Sequence, residues 1–181
     1  MLLTEQEMLY KWALMRHNTD LRNDLTVTRP DGSPDIEIMR EEMNVWYHTL
    51  LTEAPLEILH ISQIANALSV IPTSATGIYI IDMPGEFLRF VDMEIETSAG
   101  RRRVNVVAPE SRTAALQNNP RTMGGAYSPV AVRPLPGESA FHLYVNDSRA
   151  PRLLSFRAVT VPPKGTYVLT EAALGKIRDQ S

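Results

Sequence analysis

Four histidines are the first residues of this sequence that could do chemistry: His17, His48, His60 and His142. None of them stands in a His-Glu-x-x-His or His-x-His motif, the spacings that bring two imidazoles to one metal ion. Glu57 and His60 have the Glu-x-x-His spacing of di-iron bundles, but such a bundle needs a second motif and two further glutamates. The pattern therefore predicts no metal site, and we expect these histidines to be partly buried or on the surface.

Two carboxylates that lie close together in the sequence are the next candidates. Asp82 and Glu86 flank the turn Pro84-Gly85, and paired carboxylates can act as general acid and base. With a histidine brought close by the fold they would form a small hydrolase site, whereas carboxylates in a loop are ordinarily solvated. The sequence contains no Gly-x-Ser-x-Gly, Gly-x-Gly-x-x-Gly or Walker motif. We therefore predict no catalytic residue and no cofactor.

The strongest basic cluster is the run Arg101-Arg102-Arg103. On a β-strand the middle arginine points away from the other two, so neither face holds more than two of them. We expect these arginines to pair across a hairpin with Asp92, Glu94 and Glu96, or to pair with a neighbouring subunit. Contact with nucleic acid is a third interpretation, but the run lacks the interleaved aromatic residues on which bases stack.

The composition is that of an ordinary globular protein. The chain has 181 residues, of which 44% are apolar and 22% are charged, enough for a buried core. Cysteine is absent, which excludes disulfides, thiolate metal sites and cysteine nucleophiles. No window approaches 18 uninterrupted apolar residues, and residues 1–10 carry Glu5 and Glu7 without a basic segment. We therefore expect neither a membrane span nor a signal peptide.

Charge is distributed unevenly along the chain, whose net charge is −3. Residues 1–60 carry 11 acidic and 5 basic side chains, a net charge of −6, whereas residues 61–181 carry 10 acidic and 13 basic ones, a net charge of +3. Such asymmetry either steers the acidic part of one copy onto the basic part of another or is neutralised within one chain. Arginine outnumbers lysine by 15 to 3, a bias typical of interface cores that genome composition explains equally well.

The sequence begins with a predicted helix. Residues 3–18 have helical spacing, and Thr4 with Glu7 forms a capping box in which each residue bonds the backbone amide of the other. An extension of this helix to Leu25 is left open. Residues 26–33 follow as a loop with a Pro-Asp-Gly turn.

A second predicted helix starts after Ser33, which is its cap, with Pro34 at its first position. Its apolar stripe is wide, which indicates contact with more than one neighbour. The stripe comprises Ile36, Met39, Met43, Trp46, Tyr47, Leu50 and Leu51. Ala54-Pro55 ends this helix, and for residues 56–68 we favour a further helix over a short strand followed by a helix.

The remainder of the sequence predicts strands and one last helix. The strand candidates are rich in alternating, β-branched or aromatic residues. They are residues 77–81, 87–97, 101–107, 128–133, 140–146 and 153–161. Residues 98–100 are expected to form a hairpin turn, residues 109–119 a short helix or a loop, and residues 167–177 to end in a short helix capped by Thr170.

Helices followed by strands predict an α+β fold. We expect N-terminal helices, a small antiparallel β-sheet or sandwich module of about five strands, and a short C-terminal helix. The predicted boundaries are residues 1–76 for the helical region, 77–168 for the β module and 169–181 for the C-terminal helix or tail. We expect all three parts to form one structural unit.

The β part resembles the head-to-tail connector proteins of short-tailed bacteriophages, crAss-like phages included, which are also called adaptor or tail tubular protein A-like proteins. The family pattern is a turn leading into two strands, a polar segment with Gln and Asn, and a Pro-Val strand. The matching residues are Met83-Pro84-Gly85-Glu86-Phe87-Leu88-Arg89, residues 104–107, Gln117-Asn118-Asn119, Arg121, Ser128-Pro129-Val130-Ala131 and residues 140–144. Gly85-Glu86 departs from the pattern, because the family has Asp at the second of these positions.

The resemblance implies a structural virion protein without catalysis, cofactor or metal. It implies a ring of about twelve copies closed by heterologous contacts, docked on the portal protein and on other tail or neck proteins. DNA would pass through the lumen without specific recognition, and no membrane would be involved. The protein would be made in the host cytoplasm and end in the neck of the virion. Two alternatives remain open: a small hydrolase-like enzyme that uses Asp82, Glu86 and a histidine, and a monomeric binding module that uses its β surface.

Overall fold

A computed structural model describes residues 1–16, 35–135 and 138–177 of the chain. The predicted α+β class is confirmed, because these residues form both helices and sheets. The helices are α1 (Glu5–Arg16), α2 (Asp35–Glu53), α3 (Arg112–Leu116) and α4 (Glu171–Gly175), with 3₁₀ turns at Leu56–Ile58 and Ala65–Ala67. The predicted loop at residues 26–33, the Ser33 cap, Pro34, His17 and the extension to Leu25 lie outside the described residues.

The strands complete the list of elements. They are β1 (Leu2–Thr4), β2 (Ser62–Gln63), β3 (Val70–Pro72), β4 (Ile78–Asp82), β5 (Phe87–Thr97), β6 (Gly100–Arg103), β7 (Asn105–Val107), β8 (Val130–Val132), β9 (Ala140–Tyr144), β10 (Arg152–Thr160) and β11 (Thr166–Val168). The chain divides into two compact units. We call residues 1–60 and 159–181 the terminal unit and residues 61–158 the β unit.

The terminal unit joins the two ends of the chain. β1 pairs antiparallel with β11, and Leu2 stands opposite Val168. α1 and α2 pack through Trp12 and Trp46, whose ring centres lie 5.4 Å apart. Both tryptophans are buried, so the helices cover their apolar faces with each other. The hydroxyl of Tyr47, also on α2, donates to the carbonyl oxygen of Val168 at 3.4 Å and accepts a hydrogen bond of 3.0 Å from the backbone N–H of the same residue.

Local capping signals in this unit are confirmed. The backbone N–H of Thr4 donates to a Glu7 carboxylate oxygen at 2.8 Å, and the N–H of Glu7 donates to the Thr4 hydroxyl at 3.3 Å. These bonds form the predicted capping box, although the helix begins at Glu5 because residues 2–4 pair as a strand. At the other end of the chain the N–H of Ala173 donates to the hydroxyl of Thr170 at 3.1 Å, as a helix cap requires.

The β unit contains two sheets that enclose one core. One sheet has the order β2-β10-β5-β6, and the other has the order β3-β4-β9-β8-β7, in which β7 and β8 run parallel. Four phenylalanines from both sheets contact one another between them, with ring centres 5.4–6.1 Å apart for the pairs that touch. They are Phe87, Phe90, Phe141 and Phe156. Such edge-to-face aromatic contacts fix the spacing of the sheets more precisely than aliphatic packing alone.

The chain changes from one sheet to the other at Val104. The sequence predicted a single strand over residues 101–107, but the structure ends β6 at Arg103 and starts β7 at Asn105. The N–H of Val104 still donates to Met93 on β5 at 3.0 Å, whereas the N–H of Asn105 donates to Pro129, next to β8, at 3.0 Å. This switch places the end of the hairpin at the border between the two sheets.

The predicted helix over residues 56–68 is wrong. Ser62 and Gln63 pair with β10, and the side chain of Gln63 accepts the N–H of Phe156 at 2.8 Å. Long-range pairing therefore overrides a local pattern of mixed period. The strand number also differs, because the described residues of the β unit form nine strands rather than about five and include one parallel pair.

The predicted boundaries at 76/77 and 168/169 do not coincide with the two units that the structure has. β2 and β3 belong to the β unit because they pair with β10 and β4. β11 lies in the terminal unit because it pairs with β1. Pairing partners that are distant in sequence thus decide where each unit begins and ends.

Gly124 gives a first testable prediction. A Cβ atom at this position would lie 2.5 Å from the carbonyl oxygen of Tyr144 and 2.8 Å from the nitrogen of Val130, which are backbone atoms of two sheet strands. Gly124→Ala should therefore lower the free energy of unfolding by about 1–3 kcal/mol, as overpacking does. Gly125→Ala is the matched control, because the nearest atom to its Cβ lies at 3.6 Å. Urea unfolding measures both, and equal stabilities would contradict the close approach described here.

Candidate interaction surface

The carboxylates considered for catalysis lie at the rim of the β unit. Asp82 is exposed at the end of β4, and Glu86 is exposed in the turn before β5. His142 is exposed on β9, opposite Ile80, so it shares a sheet face with Asp82, two residues farther along β4. The structure thus brings an acid and an imidazole to one face, where both are open to solvent.

The remaining histidines do not join this pair. His48 is exposed on α2, and His60 is exposed after the 3₁₀ turn that contains Glu57. That turn ends at Leu59, whose backbone is extended with a ψ of 155°, so Glu57 and His60 do not share a helix face. Within residues 1–16, 35–135 and 138–177, no group of three His, Asp or Glu side chains could hold a metal ion.

The arginine run and the acidic strand meet on the outer face of the first sheet. Glu94 stands opposite Arg103 in the ladder, but its salt bridge is to Arg101, two residues away. Arg103 likewise reaches diagonally, and its guanidinium lies 3.9 Å from Asp92. Pairing across the hairpin, the first of the interpretations open from the sequence, is therefore confirmed for Arg101 and Arg103.

A second set of arginines approaches the same acids from β10 and from the residues just before it. Arg157 forms a bidentate salt bridge with Asp92. Its Nε donates to Oδ1 at 2.7 Å, and its Nη2 donates to Oδ2. Arg152 lies 3.0 Å and the Arg149 guanidinium 4.0 Å from Glu96. The sequence analysis missed these three arginines, because their partners lie more than 50 residues away along the chain. Five arginines thus surround three acids on this face.

Asp92 is the most enclosed of these acids. Its side chain is 12% exposed, against 28% for Glu94 and 32% for Glu96. The hydrogen bonds from Arg157 and the charges of Arg157 and Arg103 hold the pKa of Asp92 below its usual value, although burial acts in the opposite direction. Asp92 is therefore an ionised residue whose charge is already neutralised within the sheet.

Arg102 points to the other side of β6 and meets an aromatic ring. Its guanidinium carbon lies 5.6 Å from the ring centre of Tyr127, a side chain that is 78% exposed. The hydroxyl of Thr97 donates to the carbonyl of Ala126 at 2.8 Å and so ties the loop of Tyr127 to the hairpin. Tyrosine and arginine are enriched at interface hot spots, so this exposed pair is suited to a contact with another protein.

A cleft opens where the chain changes sheets, and we call it the arginine cleft. It encloses about 470 Å³ and is lined by Phe90, Val91, Asp92, Arg103, Val104, Asn105, Val106 and Arg133. The guanidinium carbon of Arg133 lies 5.8 Å from the ring centre of Phe90. The cleft therefore brings two guanidinium groups together with apolar side chains such as Phe90 and Val106.

The tip of the β5–β6 hairpin is tied to the second sheet by one carboxylate. Asp147 accepts hydrogen bonds from the backbone N–H of Ser98, at 2.7 Å, and from the Ser98 hydroxyl. These bonds lower the pKa of Asp147 from 3.8 to about 2. Gly100 completes the turn with a φ of +87°, a conformation that suits glycine.

No family model matches the chain, and no characterised protein sequence matches it. Among the helices that the described residues form, none has the length and hydropathy needed to cross a membrane.

The ion pair between Asp92 and Arg157 gives a second prediction. Asp92→Asn removes the charge from a largely buried carboxylate that accepts two hydrogen bonds from Arg157, whereas Glu94→Gln removes it from a more exposed carboxylate. Because half of the Arg157 side chain is in solvent, screening moderates the effect, and we expect a loss of about 1–2 kcal/mol for Asp92→Asn. Glu94→Gln should cost less than about 1 kcal/mol. Urea unfolding at pH 7 measures both, and equal losses would contradict the assignment.

Asp147 gives a prediction about pH. Its pKa is lower in the folded protein than in the unfolded chain, so its contribution to stability is complete above about pH 4 and disappears as the pH falls towards 2. The stability difference between the wild type and Asp147→Asn should therefore be constant above pH 5 and shrink between pH 4 and 2. Unfolding by urea at each pH measures this difference. A difference independent of pH would show that the carboxylate charge does not hold the hairpin.

Proposed function

We propose that this protein is a non-catalytic structural subunit of a ring in the neck of a short-tailed bacteriophage. Copies of the chain would surround the passage through which DNA moves, in a closed ring of about twelve. One side of the ring would contact the portal protein and the other side further neck or tail proteins. The function is mechanical: each copy supplies a rigid body and contact surfaces.

The observation that carries this proposal is where the residues resembling the connector family lie. All 24 matching positions lie in the β unit, and ten of them lie on β7, β8 and β9, which are direct neighbours in one sheet. Gln117, which is 2% exposed, joins the polar segment to Gly124, which lies close to the backbone of Tyr144 on β9 and Val130 on β8. Its carboxamide donates to Thr113 at 2.8 Å and accepts the N–H of Gly124 at 2.7 Å. A resemblance that gathers in one structural module supports a shared architecture better than scattered matches would.

The chemistry of the surface also supports work by contact. The acids of β5 are occupied by salt bridges, and the stack of Arg102 on Tyr127 presents a rigid aromatic side chain to solvent. Such a side chain loses little conformational entropy on binding. We assign the Tyr127 stack to the contact with another neck protein, the portal protein in the first place.

A hydrolase is the alternative that one observation favours, because Asp82 and His142 share a sheet face. Both are exposed, however, and catalytic acids and bases ordinarily lie in clefts that exclude water and shift their pKa values. A monomeric binding module would use the same sheet surfaces but would bind a single partner. Mass measurements separate this module from a ring subunit.

The proposal is tested by measuring the mass of the complexes that the purified protein forms, alone and with the portal protein of the same virus. We expect large oligomers in one or both conditions. Tyr127→Ser should weaken binding to the portal by about tenfold or more, as loss of a hot-spot aromatic does. The double variant Asp82→Asn, Glu86→Gln is the control, and it should assemble like the wild type. Failure of the wild type to associate in any condition would overturn the proposal.

A further inference from the structure

We infer that the arginine cleft is a binding site for carboxylates and that its occupant is helix α2 of a second copy of this chain. The inference rests on the proposed function in so far as it requires self-association. It goes further, because it names the two surfaces that meet and the residues that join them.

The cleft is lined by two arginines and one carboxylate, so it carries excess positive charge. Asp92 is its acidic residue, and both of its oxygens are bound by Arg157. Arg103 therefore retains only the long contact of 3.9 Å with Asp92. Arg133 lies over Phe90, and within the part of the chain that the structure describes no acidic side chain forms a salt bridge with it. Two guanidinium groups at one cleft suit a carboxylate, which can accept two parallel hydrogen bonds from one guanidinium and further hydrogen bonds on its remaining lone pairs.

The chain itself offers the matching acids. The β unit carries ten basic and eight acidic side chains, a net charge of +2, and the terminal unit carries eight basic and thirteen acidic ones, a net charge of −5. On α2, Glu37, Glu41 and Val45 follow one another at intervals of four residues, so they form a row on one helix face. All three are exposed, and Val45 is 67% exposed.

The acidic row and the cleft complement each other in apolar character as well as in charge. Val45 would contact Phe90 and Val106 among the lining residues, while Glu41 would reach Arg103 and Arg133. Phosphate groups of DNA could also bind two arginines, but they would leave the exposed valine and the acid excess of the terminal unit without a partner. The observations therefore favour a second copy as the occupant.

The contact is heterologous, because each copy would give α2 to one neighbour and receive α2 of another in its cleft. Such contacts close into rings or continue as filaments, depending on the rotation between copies. The same property makes the inference testable by exchanging charges between the two surfaces. A single charge reversal disrupts either the acidic row or the arginine cleft of each copy and leaves the other surface intact.

The experiment compares Glu41→Arg, Arg133→Glu, the double variant and an equimolar mixture of the two single variants by mass photometry and analytical ultracentrifugation. Each single variant should associate at least tenfold more weakly than the wild type. The double variant should recover association, since the charges are exchanged. The mixture should also recover association beyond dimers, because the intact row of Arg133→Glu fits the intact cleft of Glu41→Arg and the two reversed surfaces fit each other as in the double variant. Glu110→Arg and Arg121→Glu, both on exposed positions of the β unit, are the matched controls and should assemble normally.

Thermal unfolding checks that each variant folds, and Glu41→Gln with Arg133→Gln replace the reversals if one of them does not. Undiminished oligomers in the single variants would overturn the inference and leave the proposed function standing. A wild type that does not associate with itself or with the portal would overturn both. Fluorescence anisotropy with a short DNA duplex separates the other source of anions: if Arg133→Glu loses DNA binding but keeps self-association, the cleft is a phosphate site and the inference is wrong.

Discussion

A strand of carboxylates held between two strands of arginines is the interaction on which the β unit depends. Asp92, Glu94 and Glu96 occupy successive outward positions of β5, while Met93 and Ile95 between them are fully buried. Three like charges on one face of a strand repel one another unless cations flank them. β6 and β10 supply those cations from both sides, and a slip of one residue in either register would put acids into the core. Core packing and ion pairing therefore specify the same strand order.

This arrangement also determines what the surface can offer. The three carboxylates form salt bridges within the sheet, so the arginines that do not share these salt bridges carry the excess positive charge. Arg103 and Arg133 line a cleft that also contains Phe90, and Arg102 lies over the ring of the exposed Tyr127. These are contact groups, whereas the side chains that could catalyse, Asp82 and His142, lie open to water. This distribution supports the proposed role in association over one in catalysis, and in the proposed contact the acid excess of the terminal unit would be the complementary charge.

Local signals in the sequence were sufficient where the interacting groups are near neighbours. The capping box at Thr4, the helix cap at Thr170 and the pairing of Arg101 across its hairpin depend on residues within seven positions of each other. Prediction failed where the partner is distant. Residues 56–68 read as a helix because nothing nearby reveals that Gln63 bonds a strand 93 residues away. The hydrogen bonds between Arg157 and Asp92 join residues 65 positions apart. For the same reason, three of the five arginines on this face could not be predicted from the sequence.

The absence of cysteine from the chain allows a direct measurement of the contact between copies. Glu41→Cys places one thiol on the acidic row of α2, and Asn105→Cys places one in the arginine cleft. A disulfide forms only when the two Cα atoms approach within about 7 Å, so oxidation of the mixed single-cysteine variants reports whether these surfaces meet. Our account predicts a heterodimer joined by a disulfide between positions 41 and 105, identified by mass spectrometry of the linked peptides. Oligomers that form normally without this link would contradict it.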